Sequence, residues 1–359
     1  METKSKNINT EAHNLIYKKG LIIAGPCSVE SEQQLLHTAS ELASLKKIDI
    51  LRAGIWKPRT NPGGFEGVGT KGLSWLLKAK QLTGLKTAVE VATAKHVEDA
   101  LSFDVDVLWI GARTTVNPFS IQQLADALKG TKTTVLIKNP VNPDSKLWVG
   151  AIERLQKVGI TDIGLIHRGF TSYGNTEYRN VPMWQIPIEM KRLFPNLPLI
   201  SDPSHICGNR TGLYAVAQKS VDLDYDGLMI ESHFDPDSAL TDKNQQITPN
   251  ELGNLLDKII WKKTSSSEGE FTNKLESLRE QINYLDEELI SLISNRMKVA
   301  KEIGNIKKQS KVTILQAARY NEIIERALQK AKQVELSEEF MKTYMEAIHI
   351  ESIRIQNAI

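Results

Sequence analysis

The feature that most constrains this 359-residue chain is the abrupt end of its proline and glycine near residue 270. All 13 prolines, all 6 tryptophans and 21 of the 22 glycines lie before residue 271, and the final 89 residues hold one glycine, Gly304. Inside a helix glycine costs about 1 kcal/mol and proline about 3 kcal/mol relative to alanine, and both residues punctuate turns. The last quarter is therefore expected to be almost wholly helical. Between the two regimes lies TSSSEGE, small and polar, which reads as a linker. The expected organisation is a domain over 1–263, a linker over 264–270 and a helical domain over 271–359.

Before residue 264, short apolar, β-branched runs alternate with longer amphipathic stretches. Strands are expected over 21–27, 48–56, 86–91, 107–112, 134–138, 163–167, 199–202 and 227–231. Amphipathic segments separate them, for example 32–45, 72–82, 121–128 and 147–158. Eight evenly spaced strand–helix units in about 250 residues match a (β/α)8 TIM barrel. An open doubly wound sheet is the rival.

Polar residues fall at the ends of the expected strands: Cys27, Arg52 and Lys57, Glu90, Arg113, Lys138, Arg168, His205 and Glu231. A barrel gathers these ends around one mouth, where active sites form. Arg52, Lys57, Arg59, Arg113, Lys138 and Arg168 would place six cations there, a concentration suited to phosphate and carboxylate. Taken singly, Cys27 reads as a small buried hydrophobe, His205 as a loop or capping residue, and Glu231 and Asp242 as solvated carboxylates. Taken together, this thiol, imidazole and two carboxylates suit a divalent transition metal such as Mn, Fe, Co or Zn, acting as a Lewis acid. The run GVGTKG at 67–72 fits G-x-G-x-x-G, but Trp56 lies eleven residues upstream, too far for a dinucleotide fingerprint.

In the tail, Leu275, Leu278, Ile282, Leu285, Leu289, Leu292, Val299, Ile303 and Ile306 follow a heptad, and Arg296 takes a place due to an apolar residue. Lys307 lies eleven residues on, about 16 Å along nearly the same face. Near the C-terminus a second stripe is interrupted by Ser352, with Gln356 one turn later. One reading is a coiled coil whose polar positions set register. The other is a bundle-core pocket for an anion.

Charge and composition exclude several classes. Lys+Arg 45 against Asp+Glu 43 leaves +2, which argues against an electrostatic nucleic-acid or membrane binder. Two cysteines, Cys27 and Cys207, cannot form a disulfide framework. METKSKNINT lacks a signal-peptide core, and no run approaches the ~18 apolar residues of a span, so a cytoplasmic protein is expected.

The stretches GPCSVES, LRAGIWKPRTNPGGFEGVG, WIGARTTVNP, VLIKNP, LIHRGF, ISDPSH and GLMIESHFDPDSALTDKNQQ closely resemble the type I β 3-deoxy-D-arabino-heptulosonate 7-phosphate (DAHP) synthases. The sibling octulosonate phosphate synthases carry an asparagine-containing loop where KPRT stands here. The resemblance implies condensation of phosphoenolpyruvate with erythrose 4-phosphate. It implies Cys27, His205, Glu231 and Asp242 as metal ligands. Arg113, Lys138 and Arg168 would hold phosphoenolpyruvate with Arg52 and Lys57 beside it, and Arg59 and Thr60 would receive the aldose phosphate. Lys57 is the expected proton donor.

Residues 273–359 resemble the all-α three-helix chorismate mutases, through LESLREQINYLDEELISLISNRMKVAKEIGNIK and EAIHIESIRIQ. That likeness implies rearrangement of chorismate to prephenate by Arg279 (lent by a partner chain), Arg296, Lys307, Arg319, Ser352 and Gln356, within a homodimer. Gln316 and Tyr320 stand where many relatives have acids. The expected protein is thus a bifunctional enzyme; the alternative is a synthase whose tail is a non-catalytic dimerisation or sensing module. With only 20 residues before the first strand, feedback by prephenate through the helical domain is a further expectation.

Overall fold

The computed structural model describes residues 12–57, 63–174, 176–263, 265 and 269–358. The chain divides into two compact units, Met1–Thr264 and Ser265–Ile359.

The first unit is a closed barrel of eight parallel strands: β1 Leu21–Gly25, β2 Ile50–Ala53, β3 Lys86–Val91, β4 Val107–Ile110, β5 Thr134–Lys138, β6 Ile163–His167, β7 Leu199–Ser201 and β8 Gly227–Glu231. Each strand pairs with its successor, and β1 closes on β8 from Leu21↔Gly227 to Gly25↔Glu231. A helix follows every strand: Glu32–Ser44, Lys71–Thr83, Ala94–Ser102, Pro118–Leu128, Ser145–Lys157, Gln185–Leu193, Leu213–Asp222 and Pro249–Lys258. Strands buried on both faces need unbroken apolar runs, which LIIAG and VLWI supply. Five of these helices start where a side chain accepts an orphan N–H: Ser31, Thr93, Asn117 and Asp144 do so, and Thr248 with Glu251 forms a capping box ahead of Pro249.

Side-chain alternation splits the core in two. Ile22, Ala24, Leu51, Val89, Leu108 and Ile110 face outward to the helices. Leu21, Ile23, Ile50, Ala88, Trp109, Leu136, Ile166, Ile200 and Met229 fill the barrel, with Ile16 from the short 3-10 turn Ala12–Tyr17 packed among them. Because alternation has period two, the next inward position on several strands is polar: Arg52, Glu90, Lys138, Arg168, Asp202 and Glu231. This layer, above the apolar fill, forms the floor of the site.

The glycines of GVGTKG serve packing. A Cβ at Gly67 would lie 2.0 Å from the Ile55 carbonyl oxygen, and this glycine adopts φ +92°. They let the chain turn against β2 before the helix Lys71–Thr83.

The second unit comprises three helices, Gly269–Gln309, Ala317–Gln333 and Glu338–Asn357. Its buried core is small: Met297, Ala300, Ala331, Ile348 and Ser352. Much of the heptad stripe is exposed, including Leu278, Ile282, Leu285, Leu289 and Leu292. Among the described residues no helix is long and apolar enough to cross a membrane.

Candidate active sites

At the barrel mouth, Lys57, Glu90, Arg113, Lys138, Arg168, Arg179, His205 and Asp242 line one cavity. Four of the six expected cations are therefore together. Arg52 lies beneath the cavity, 1% exposed, with its Nη2 3.2 Å from Glu231 Oε1. Arg59 and Thr60 lie outside the described residues.

Three of the four expected metal ligands cluster, and the fourth, His205, stands beside Glu231. Donor atoms of Cys27, Glu231 and Asp242 lie within 4.8 Å of one another. Cys27 Sγ is 3.3 Å from Asp242 Oδ2, and His205 Nε2 is 3.7 Å from Glu231 Oε1. Asp202 holds the other ring nitrogen of His205, Nδ1, at 2.9 Å, which aims Nε2 at the cluster as second-sphere carboxylates do for metal-binding histidines. Glu231 Oε2 accepts from Gln245 Nε2 at 2.6 Å, whereas Oε1 is buried without an aligned hydrogen-bond donor. A thiol, an imidazole and two carboxylates with an unsatisfied buried oxygen fit a divalent transition metal.

The electrostatics depend on pairing. Burial opposes the Asp202 charge, but His205 and Lys138 hold its pKa well below the usual carboxylate range; Lys138 Nζ lies 2.7 Å away. Burial, then Glu231, pushes the Cys27 thiol up to about 12, with Lys57 Nζ 3.1 Å from the sulfur working the other way. Burial works to lower the Lys57 pKa, but Cys27, Glu231 and Glu90 outweigh it and raise it above its ordinary value. Burial lowers Arg168 to about 10, opposed by Asp202 and reinforced by Arg179 and Arg113, so the group remains cationic at neutral pH. Arg52 and Lys138 both sit over the Trp109 ring, 5.1 and 5.9 Å from its centroid.

Two glycines permit the close approaches. A Cβ at Gly54 would stand 1.9 Å from the Cys27 carbonyl oxygen, and one at Gly208, φ +69°, 2.5 Å from Arg179 Cβ.

Several participants carry no motif signal of their own. Arg179 Nη1 reaches Asp242 at 3.1 Å and Gln245 at 2.6 Å. Asn180 Oδ1 accepts from Arg168 Nη1 at 2.7 Å, and Asn139 Oδ1 accepts from its backbone N–H at 2.7 Å. Asp202 and Gln245 stand inside ISDPSH and DKNQQ; sequence reasoning missed both, although alternation beyond Ile200 is a signal that marks the former. Arg179 and Asn180 lie in an aperiodic loop.

In the helical unit, Arg296, Lys307, Arg319, Ser352 and Gln356 line a second cavity of about 380 Å³, with Gln316, Tyr320 and His349. That volume suits a small ligand. Arg296 Nη1 donates to Ser352 Oγ at 2.7 Å, and Lys307 Nζ donates to the Ile314 carbonyl at 2.6 Å. Gln356 Oε1 is buried without a partner. Arg279 stands apart, exposed and paired with Glu276 at 2.7 Å. Seventeen residues before Arg296 on the same helix, it lies about 25 Å away.

An eight-stranded barrel with cations and a mixed metal-type donor set at its mouth defines an enzyme acting on small anions. Residues 16–268 match the DAHP synthetase I family model, and the chain belongs to that family. Residues 278–357 match the chorismate mutase type II model, so the chain also carries that domain. It is 31% identical over 226 residues to phospho-2-dehydro-3-deoxyheptonate aldolase of Thermotoga maritima, covering 63% of this chain and 64% of that protein. It is 27% identical to 2-dehydro-3-deoxyphosphooctonate aldolase of Desulfotalea psychrophila, over 67% of this chain and 88% of that one. The crystal structure of the Thermotoga maritima DAHP synthase superposes with TM-score 0.59 at 28% identity, covering 67% of this chain and 68% of that chain.

Proposed function

We propose that the protein is a bifunctional shikimate-pathway enzyme. Its barrel condenses phosphoenolpyruvate with erythrose 4-phosphate to DAHP and phosphate, and its helical unit rearranges chorismate to prephenate. The observation that carries this reading is the presence of two cationic cavities on one chain, one beside a metal-type donor cluster and one with no such cluster among the described residues.

Arg113, Lys138 and Arg168 bind the phosphate and carboxylate of phosphoenolpyruvate, with Arg179 extending the anion site. Arg52 acts from below by holding Glu231. Arg59 and Thr60 receive the phosphate of erythrose 4-phosphate. A divalent metal held by Cys27, His205, Glu231 and Asp242 would supply Lewis acidity toward the aldehyde oxygen. Lys57 gives a proton to that oxygen as the new carbon–carbon bond forms; normal turnover by Lys57→Met would refute this role. Water then adds to the cationic carbon derived from phosphoenolpyruvate, and phosphate leaves.

The second reaction needs no nucleophile, so positioning and electrostatics carry it. Arg296 and Arg279 of the partner subunit grip the carboxylates, Arg319 and Ser352 complete the pocket, and Lys307 and Gln356 donate to the ether oxygen as negative charge gathers there. The distance between Arg279 and Arg296 supports a homodimer in which each helix lends an arginine, and the exposed apolar stripe supports pairing along that helix. Prephenate held in the helical unit slows the barrel, a regulation that cutting at 264–270 should abolish. The proposal places the protein in the cytoplasm, where reducing conditions keep Cys27 and Cys207 as thiols.

The test is to supply the intact chain and Mn²⁺ with phosphoenolpyruvate and either erythrose 4-phosphate or arabinose 5-phosphate, and separately with chorismate. DAHP from the four-carbon sugar and prephenate from chorismate are expected. Preference for the five-carbon sugar would reassign the barrel. Failure to convert chorismate would leave the tail a non-catalytic module.

A further inference from the structure

His349 lines the helical cavity, although no seam position or charge pattern marks it. Its ring lies 4.0 Å from that of Tyr320, which fixes it against the wall formed by the second tail helix. Around it stand Arg296 and Lys307 from the first tail helix, Arg319 and Tyr320 from the second, and Ser352 and Gln356 from its own. Exposed Glu346 is one turn back on that helix, Glu322 pairs with Arg319 at 2.6 Å, and among the described residues no carboxylate lines the cavity. Burial, then Arg296 and Lys307, lower the imidazole pKa from its ordinary 6.5, which favours the neutral ring at neutral pH.

We propose that His349 is a further binding residue of this cavity, and that it takes up a proton from solvent when a small dicarboxylate dianion settles among Arg296, Lys307 and Arg319. The incoming charges offset the cations that disfavour imidazolium, and the protonated ring gains a second N–H donor toward the ligand. Coupling is reciprocal: a ligand that raises proton affinity binds more tightly when protons are abundant. The ligand class rests on the reading that this cavity takes chorismate and prephenate.

Calorimetric titration of the full-length protein with prephenate, in two buffers of unlike ionisation enthalpy, tests the inference. From pH 8 to pH 6 the Kd should fall about three- to tenfold, one linked proton giving at most about tenfold per pH unit. Proton uptake should accompany binding near pH 7. His349→Gln should bind with a flat profile and no uptake, whereas Tyr320→Phe, which keeps the ring contact, should retain both. A flat wild-type profile, or an unchanged slope in His349→Gln, overturns the inference while leaving the cavity's ligand in place. Absence of both prephenate binding and chorismate turnover in the wild-type protein removes the ligand assignment, and the inference with it.

Discussion

At the barrel mouth Arg52, Lys138, Arg168 and Arg179 are each tied to a buried or half-buried carboxylate or amide, whereas the helical cavity gathers Arg296, Lys307 and Arg319 with no carboxylate lining it among the described residues, the one ion pair there being the exposed Arg319–Glu322 contact at 2.6 Å. The difference follows from burial. Arg52, Lys138, Asp202 and Glu231 are at most 4% exposed, and charges so far from water persist only when paired. Arg296 and Arg319 are exposed, so water can stabilise them until an anion arrives. The barrel site is thus part of the fold's own charge balance, and the helical site is largely independent of it. Substitutions should therefore cost the barrel both stability and activity, but the helical unit activity alone.

The largest expected effect is at Glu231. Glu231→Ala strands Arg52 as a buried cation and should destabilise the barrel by about 3–5 kcal/mol in denaturant unfolding, beyond abolishing DAHP formation. A loss below about 1 kcal/mol would break the contrast between the sites. Next is Lys307→Ala, for which chorismate turnover should fall about 10²–10³-fold while stability falls by no more than the ~1 kcal/mol of its hydrogen bond to the Ile314 carbonyl. A matching drop in stability would show that the helical site too is structural. Asn180→Ala removes an acceptor for Arg168 and should raise KM for phosphoenolpyruvate about tenfold with a smaller change in kcat, as expected for a lost hydrogen bond to a charged group. Unchanged KM would mean Arg168 needs no such support.

The last effect, spread over several pH units, concerns acid stability. His167 is buried, and burial lowers its pKa from 6.5 to about 3 despite the Pro182 carbonyl that accepts from Nε2. Tyr225 OH donates to Nδ1 at 2.9 Å, which fixes the neutral ring. The unfolded chain therefore binds this proton first. The stabilising contribution is complete above pH 6.5 and is lost as pH falls toward 3, at up to about 1.4 kcal/mol per pH unit. His167→Gln should flatten the fall in stability between pH 7 and pH 5, and an identical slope would assign acid sensitivity elsewhere.

How much of this was legible in the sequence differs between the regions for physical reasons. In the barrel, buried strands demand apolar runs, so a polar residue two places beyond an inward apolar one announces itself, as Lys138 does after Leu136. Arg52 obeyed the same rule, yet its pairing with buried Glu231, which accompanies its absence from the cavity lining, joins residues of two distant strands and has no sign in either run alone. Arg179 and Asn180 were silent because their loop has no period. In the tail, Arg296 and Ser352 stood out as breaks in apolar stripes, and the two hydrogen-bond across helices. His349 gave no such sign, since its meaning comes from contact with Tyr320 on another helix.

The most direct measurement strips metal from the intact chain with a chelator and follows both reactions on one sample. Condensation of phosphoenolpyruvate with erythrose 4-phosphate should stop and return on adding Mn²⁺ or Zn²⁺, while chorismate continues to become prephenate throughout. Loss of both reactions, or persistence of the condensation without metal, would contradict two sites of unlike chemistry on one chain.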